Sequence, residues 1–367
     1  MWYLVYLYIF CLSLLLSLLL VRFFSKLAVT WGFFDIPSER KIHDRPVPLL
    51  GGAAILSSVV ATLLINVVLV LLASRSHELT SLIPESLAVY IRGVLSVLPR
   101  LGVIMLGGVI IFLIGLWDDR SDISARVKLL GQILVALVLV SLNIRITFFI
   151  PSFIFSLVIT VIWMVVIINA FNLLDNMDGL CAGVAVIASV IFWFISARQG
   201  HYFIAVLLAI FIGSLFGFLR YNFYPAKIFM GDAGSMFVGY FIAVLTIMQT
   251  FYHPGQAESI AVLMPLVILA VPLYDTLSVV VIRISNGESI FKADRRHFSH
   301  RMLNLGMSGR GAVCFVYLVT LCTGLSAMLL PLVGWRGGSI ILVQTVLIIS
   351  VVAVLEYFGR KRKNHDV

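Results

Sequence analysis

Eleven apolar blocks, each close to the length of a membrane-crossing helix, follow one another at about 2–21, 50–73, 100–117, 128–143, 152–173, 181–197, 203–219, 235–252, 259–282, 312–333 and 338–358. A hydrocarbon core about 30 Å thick takes roughly 20 helical residues to cross. Of the 367 residues 61% are hydrophobic and only 12% charged, against about 45–50% and 25% in soluble domains. A water-soluble globule is excluded, and so is a membrane barrel, whose strands read as runs of about ten residues of alternating polarity. The expected fold is all-α: one integral-membrane domain over residues 1–367, a polytopic bundle of ten or eleven transmembrane helices. The fourth, sixth and seventh blocks are short enough to divide differently. No small-residue cleavage site follows the first block, so it reads as a retained span. Cys11, Cys181, Cys314 and Cys322 lie in or beside apolar runs without paired spacing and read as packing residues.

The basic residues set an orientation. Loops at about 22–49, 118–128, 174–180, 220–234 and 283–311, with the tail, carry 20 of the 26 Lys and Arg, and the opposite face carries Arg75, Arg92, Arg100, Arg145, Arg198 and Arg336. The positive-inside rule then puts the N-terminus outside and those loops in the cytoplasm. The net charge of +9 needs no nucleic-acid partner, since cytoplasmic cations facing anionic lipid account for it. Arg360-Lys361-Arg362-Lys363 reads as a stop-transfer anchor. On the outer side, Pro84 to Leu98 is expected as an amphipathic helix lying on the membrane surface.

Only 17 carboxylates are present, and an acid at membrane depth is costly enough to point to function. Asp118, Asp119, Asp122, Asp175, Asp178, Asp232 and Asp294 all fall in segments assigned to the cytoplasmic face. In GLWDDRSDISARVK, the adjacent Asp118 and Asp119 repel unless a divalent cation, or Arg120 or Lys128, compensates them; a solvated helix cap is the alternative. In NAFNLLDNMDGL, Asn169, Asn172, Asp175 and Asp178 recur at steps of three before Gly179. That spacing lines oxygens along one side of a helix or 3₁₀ turn, which suits a hard cation or a polar ligand edge. In RYNFYPAKIFMGDAGS, small residues flank Asp232, permitting close approach of a phosphate or metal, with Ser235 placed to cap the next helix. In KADRRHFSHRM, His297 and His300 sit among Arg295, Arg296 and Arg301, a density of cations suited to a diphosphate. The two histidines lack a third nitrogen or thiolate for zinc, so magnesium fits better. Asp275, after Pro272 within the ninth block, suits a helix break or an interhelical hydrogen bond.

With RKIHDRPVPLLGG in the first loop, these strings occur in an order that resembles the polyprenyl-phosphate N-acetylhexosamine-1-phosphate transferase family across essentially the whole chain. That family includes phospho-MurNAc-pentapeptide translocase and the WecA-like enzymes that begin O-antigen and related envelope glycans. The resemblance implies attack of an undecaprenyl or other polyprenyl phosphate on a UDP-N-acetyl sugar, most simply UDP-GlcNAc, with release of UMP and Mg²⁺ or Mn²⁺ as cofactor. The cleft faces the cytoplasm, and the setting is the bacterial cytoplasmic (inner) membrane. A homodimer is a further expectation. Carried over by position, Asp118, Asp119, His297 and His300 are assigned to catalysis. Asn172, Asp175, Asp178, Asn222, Phe229, Lys128, Arg295 and Arg296 are assigned to substrate, the uracil falling to Asn222 and Phe229. Asp232, Asn172 and Asp175 are assigned to the metal.

Two departures stand out. Ser299 replaces a histidine common in the last loop, and Asn176 replaces a glycine in the commoner DGxDG string. The absence of a triple-histidine run favours a plain UDP-HexNAc over the peptide-bearing donor, with a deoxy-amino sugar as the alternative. From another functional class, a lipid or ion transporter also has intramembrane acids, yet here the acids gather at one face and no repeated halves are visible.

Overall fold

A computed structural model describes residues 1–36, 45–75, 85–147, 150, 152–249, 259–289 and 297–363. The helices are α1 (Trp2–Trp31), α2 (Gly51–Arg75), α3 (Glu85–Ser121), α4 (Ala125–Ser141), α5 (Phe153–Leu174), α6 (Leu180–Arg198), α7 (Tyr202–Asn222), α8 (Gly231–Met248), α9 (Met264–Ile268), α10 (Ala270–Ser285), α11 (Phe298–Asn304), α12 (Gly309–Ala327) and α13 (Trp335–Lys363). Among the described residues nine helices are long and apolar enough to cross a membrane, and Ile260–Ile268 with Ala270–Ser285, bent by 69°, forms a tenth, broken span. Helix α4, at 17 residues, reaches about 25 Å; with it the eleven blocks of the sequence are all present. This is an all-α, multi-pass membrane protein.

Three expectations are corrected. Residues 85–98 do not form a separate surface helix: α3 runs unbroken for 37 residues through Pro99, the one missing main-chain donor being tolerable where neighbouring groups re-satisfy the backbone. Because α3 extends to Ser121, Asp118 and Asp119 stand on its last turn rather than in a loop. The chain is also not wholly helical: Phe34–Asp35 and Val47–Pro48 pair as a short antiparallel ribbon.

Burial is deepest along α6, α7 and α8 and least in α1 and α13. Between helices lipid offers no hydrophobic contrast, so close backbone approach and small polar residues hold the bundle together. Ser13 and Ser17 of α1 donate to the carbonyls of Ile210 (2.6 Å) and Ser214 (2.7 Å) on α7. At Gly52 a Cβ would lie 2.4 Å from Gly234 Cα, so the N-termini of α2 and α8 meet only because neither position carries a side chain. The first loop is knitted to the same place: Phe229 N donates to Pro48 O, Gly51 N to Phe229 O and Gly52 N to Met230 O. One end of the bundle thereby gathers the ribbon, the last turns of α3, α5 and α7, and the first turns of α2, α4, α6 and α8.

Candidate active site

The gathered end concentrates carboxylates around one lysine. Lys128, on the first turn of α4, donates to Asp118 Oδ2 at 2.5 Å and to Asp232 Oδ2 at 3.1 Å. Three helices thus meet in one acid–ammonium–acid bridge. A carboxylate at a helix C-terminus opposes the macrodipole, and Lys128 offsets that for Asp118. Lys128, assigned to substrate and also named as a cation able to compensate the acid pair, here pairs with Asp118 and with Asp232.

Asp119 behaves differently from its neighbour. Its Oδ1 accepts from Asp232 N at 2.7 Å and its Oδ2 from Ala233 N at 3.1 Å. These are donors that the first turn of α8 cannot satisfy internally, and Gly231 takes φ 70° there, beside Asp119. The expected catalytic pair therefore splits: Asp119 caps α8 and holds Asp232 in place, and Asp118 alone faces the lysine. Ser235, expected as that cap, instead bonds back to Gly231 O (3.0 Å) within its own turn.

The acid loop after α5 is held from several sides. Asn172 Nδ2 donates to Ser235 Oγ at 3.0 Å, bringing the metal-assigned amide beside Asp232. Asp175 ends α5; burial first, and then the Asp232, Asp119, Asp178 and Asp35 carboxylates, push its pKa well above the ordinary value. Asp178 Oδ2 accepts from Ala226 N at 2.8 Å, tying the loop to the segment before α8. Asn169 turns away, donating to Gln132 Oε1 at 2.6 Å. The four polar residues at steps of three therefore serve several partners rather than one.

Asn222 corrects the uracil assignment. It is 2% exposed; its Oδ1 accepts from Gly179 N at 3.0 Å and its Nδ2 donates to Ile228 O at 2.9 Å. Both ends of the amide serve main chain, so Asn222 shapes the loops on either side rather than presenting an edge to a base. Phe229 is half-buried, its backbone paired to the first loop as described.

His297, assigned to catalysis, is oriented by a buried acid. Its Nδ1 lies 3.1 Å from Asp275 Oδ2, and Asp275 Oδ1 accepts from Phe298 N at 2.5 Å. The histidine is an oriented group, backed by an acid that is itself fully buried. Behind it Arg301 donates to Ser278 Oγ at 2.7 Å and lies 3.1 Å from Glu356 Oε1 of α13, and Tyr274 donates to Glu356 Oε2 at 2.9 Å. His300 lies half-buried on α11. Arg295 and Arg296 lie outside the described residues. Helix α11 and this network were missed from sequence; the available signal was Glu356, an acid near the end of an apolar span, since burying a charge demands a partner.

Among the described residues no three His, Cys, Asp or Glu side chains converge as a ready-made metal cage. Magnesium does not need one, because it keeps several waters and binds through one or two carboxylates plus substrate phosphates. The donor set fits: oxygen ligands only, with Asp232 and Asn172 side by side and Asp175 at the end of the helix that carries Asn172.

A profile of "Glycosyl transferase family 4" matches residues 101–250, which include Asp118 to Asp232. A Bacillus subtilis protein named probable undecaprenyl-phosphate N-acetylglucosaminyl 1-phosphate transferase is 35% identical over 88% of this chain and 84% of its own. A decaprenyl-phosphate N-acetylglucosaminephosphotransferase of Mycolicibacterium smegmatis is 33% identical over 80% of this chain and 74% of its own. An undecaprenyl-phosphate alpha-N-acetylglucosaminyl 1-phosphate transferase of Escherichia coli K12 is 27% identical over 85% and 80%. With similarity of that extent to the first two, and the acid loops assembled at one end of a helical bundle, the chain belongs to glycosyl transferase family 4, in its branch of polyprenyl-phosphate N-acetylglucosamine-1-phosphate transferases.

Proposed function

We propose that this protein transfers N-acetylglucosamine 1-phosphate from UDP-GlcNAc to a polyprenyl phosphate, releasing UMP, at the cytoplasmic face of a bacterial inner membrane with its N-terminus outside. The observation that carries the reading is the Asp118–Lys128–Asp232 bridge at the N-terminus of α8, flanked by Asn172 and Asp175. The relatives' names supply the acceptor and the sugar.

The chemistry asks for charge control more than for covalent help. An oxygen of the lipid phosphate forms a bond to the β-phosphorus of the donor, and the bond from that phosphorus to the bridging oxygen breaks, its electrons leaving with UMP. A phosphate monoester with a second pKa near 6 is mostly a dianion at pH 7, so no general base is required. Two features support direct attack over an aspartyl-phosphate intermediate: Asp118 is held on Lys128, and Asp119 has both oxygens on the α8 backbone. A magnesium ion held by Asp232, Asn172 and Asp175 would supply positive charge against the diphosphate. Lys128 adds a fixed cation at the same place, and His297, oriented by Asp275, adds a donor from the opposite loop. The exposed apolar flanks of the bundle keep the lipid acceptor in the bilayer while its phosphate reaches the site.

Purified protein supplied with undecaprenyl phosphate, Mg²⁺ and UDP-GlcNAc should release UMP only when all three are present. Release of UDP instead, or of UMP without lipid, would overturn the reading.

A further inference from the structure

Asn176 and Ser299, the two residues noted above as departures from the commoner motifs, touch each other. Ser299 Oγ donates to Asn176 Oδ1 at 2.5 Å across a separation of 123 residues. Ser299 is buried, at 1% exposure. The other end of the Asn176 amide donates to Leu173 O at 2.8 Å, so hydrogen bonding fixes which way the amide points. Asn176 therefore ties the last turn of α5 to α11.

What stands on each side gives that bond its meaning. Asn176 lies between Asp175 and Asp178, and Asp178 is fastened to Ala226 N. Ser299 lies between Phe298, whose amide is held by Asp275, and Arg301, which is bonded to Ser278 and paired with Glu356. Helix α11 is thus clamped from behind by α10 and α13, and in front it is bonded to the acid loop through the Asn176 side chain. On the transferase reading the acid loop and the His297–His300 helix are the two elements assigned to the donor, and the Asn176–Ser299 bond joins them directly. A rigid rear and a hydrogen-bonded front make that contact the setting of the spacing between the two elements.

We propose that the Asn176–Ser299 hydrogen bond is a positioning latch that fixes the width of the cleft at the sugar-phosphate end, making both residues specificity-determining for the amino sugar of the donor. The proposal rests on the transferase reading above. Neither residue is a catalytic residue: each acts through the groups it places, Asp175 and Asp178 on one side and His297 and His300 on the other.

The test is a double-mutant cycle on the full-length protein in detergent, with Ser299→Ala, Asn176→Ala and the double variant. UMP release is measured against UDP-GlcNAc and UDP-GalNAc, and thermal melting confirms folding. Losing one hydrogen bond while leaving its partner partly buried is a change of about tenfold. Ser299→Ala should lose about tenfold in kcat/KM for UDP-GlcNAc and Asn176→Ala, which also gives up its bond to Leu173 O, at least as much; the double variant should match Asn176→Ala rather than show the product of the two losses, because the two residues share one interaction. The preference for UDP-GlcNAc over UDP-GalNAc should fall by about threefold or more, with the KM for the lipid unchanged, a split that general loosening of the fold does not produce. Losses that multiply, an unaltered sugar ratio, or a change confined to the lipid KM would overturn the latch while wild-type activity leaves the transferase reading standing. Wild-type protein that releases no UMP from any donor would overturn that reading, and the latch proposal with it.

Discussion

Asp119 offers the sharpest contrast between a reacting acid and a positioning one. In Asp119→Asn the carboxylate that accepts from Asp232 N (2.7 Å) and Ala233 N (3.1 Å) becomes an amide with one acceptor and one donor. One charge-assisted hydrogen bond, at about 1.5–3 kcal/mol, is lost outright, and the favourable charge at the helix N-terminus, about 0.3–1 kcal/mol, goes with it. The first turn of α8 should therefore be loosened by about 2–3 kcal/mol, and at 1.4 kcal/mol per tenfold this is about 30- to 150-fold faster amide exchange. Hydrogen exchange read by mass spectrometry over residues 230–236 in detergent measures it. Turnover should fall by about a hundredfold as Asp232 loses its fixed place. Loss of turnover with exchange over 230–236 unchanged would refute the reasoning and return Asp119 to the role of a reacting group.

Further outcomes follow from the same packing. Glu356→Ala leaves Asp275, at 3.8 Å, as the nearest carboxylate to the buried Arg301 among the described residues, a loss of about 3–5 kcal/mol; the melting temperature should drop, and Arg301→Met combined with Glu356→Leu should recover most of it. Asn222→Ala strands Gly179 N and Ile228 O, about 1–3 kcal/mol for each buried group, so proteolysis within 223–230 should quicken together with weakened UDP-sugar binding; weakened binding with unchanged proteolysis would restore the direct uracil contact. Gly52→Ala drives a Cβ to 2.4 Å from Gly234 Cα, whereas at Gly102 a Cβ meets nothing within 4 Å. The first should cost about 1–3 kcal/mol or more by overpacking, and the second should leave the melting temperature within about 1 °C, since surface changes are small.

The spans were legible because lipid imposes one rule on every block: about 20 apolar residues and a closed backbone. The loops were legible because acids, amides and cations at span ends are expensive unless something uses them. Membership of the site could be read in this way, but partnership could not. Asp118 and Asp119 are adjacent in sequence and chemically identical, yet one turns to Lys128 and the other to the backbone of α8, a choice set by helix phase and by the approach of α8. Asn222 was assigned to the uracil through the family resemblance, and in the structure two main-chain groups on neighbouring loops claim it. The same holds for His297 and Asp275, 22 residues apart in sequence. Helix α11 was hidden within a loop because seven residues are too few to show a periodicity, and its stability comes from buried partners on α10 and α13 rather than from propensity.

The central claim is that the β-phosphorus of the donor travels with the sugar. UDP-GlcNAc labelled with ³²P at the β position, incubated with the purified protein, undecaprenyl phosphate and Mg²⁺, tests this in one chromatographic separation. The account predicts label in the lipid fraction, in step with unlabelled UMP in the aqueous one, and none of either with Asp232→Asn. Label retained in aqueous UDP while the sugar moves to lipid would contradict it.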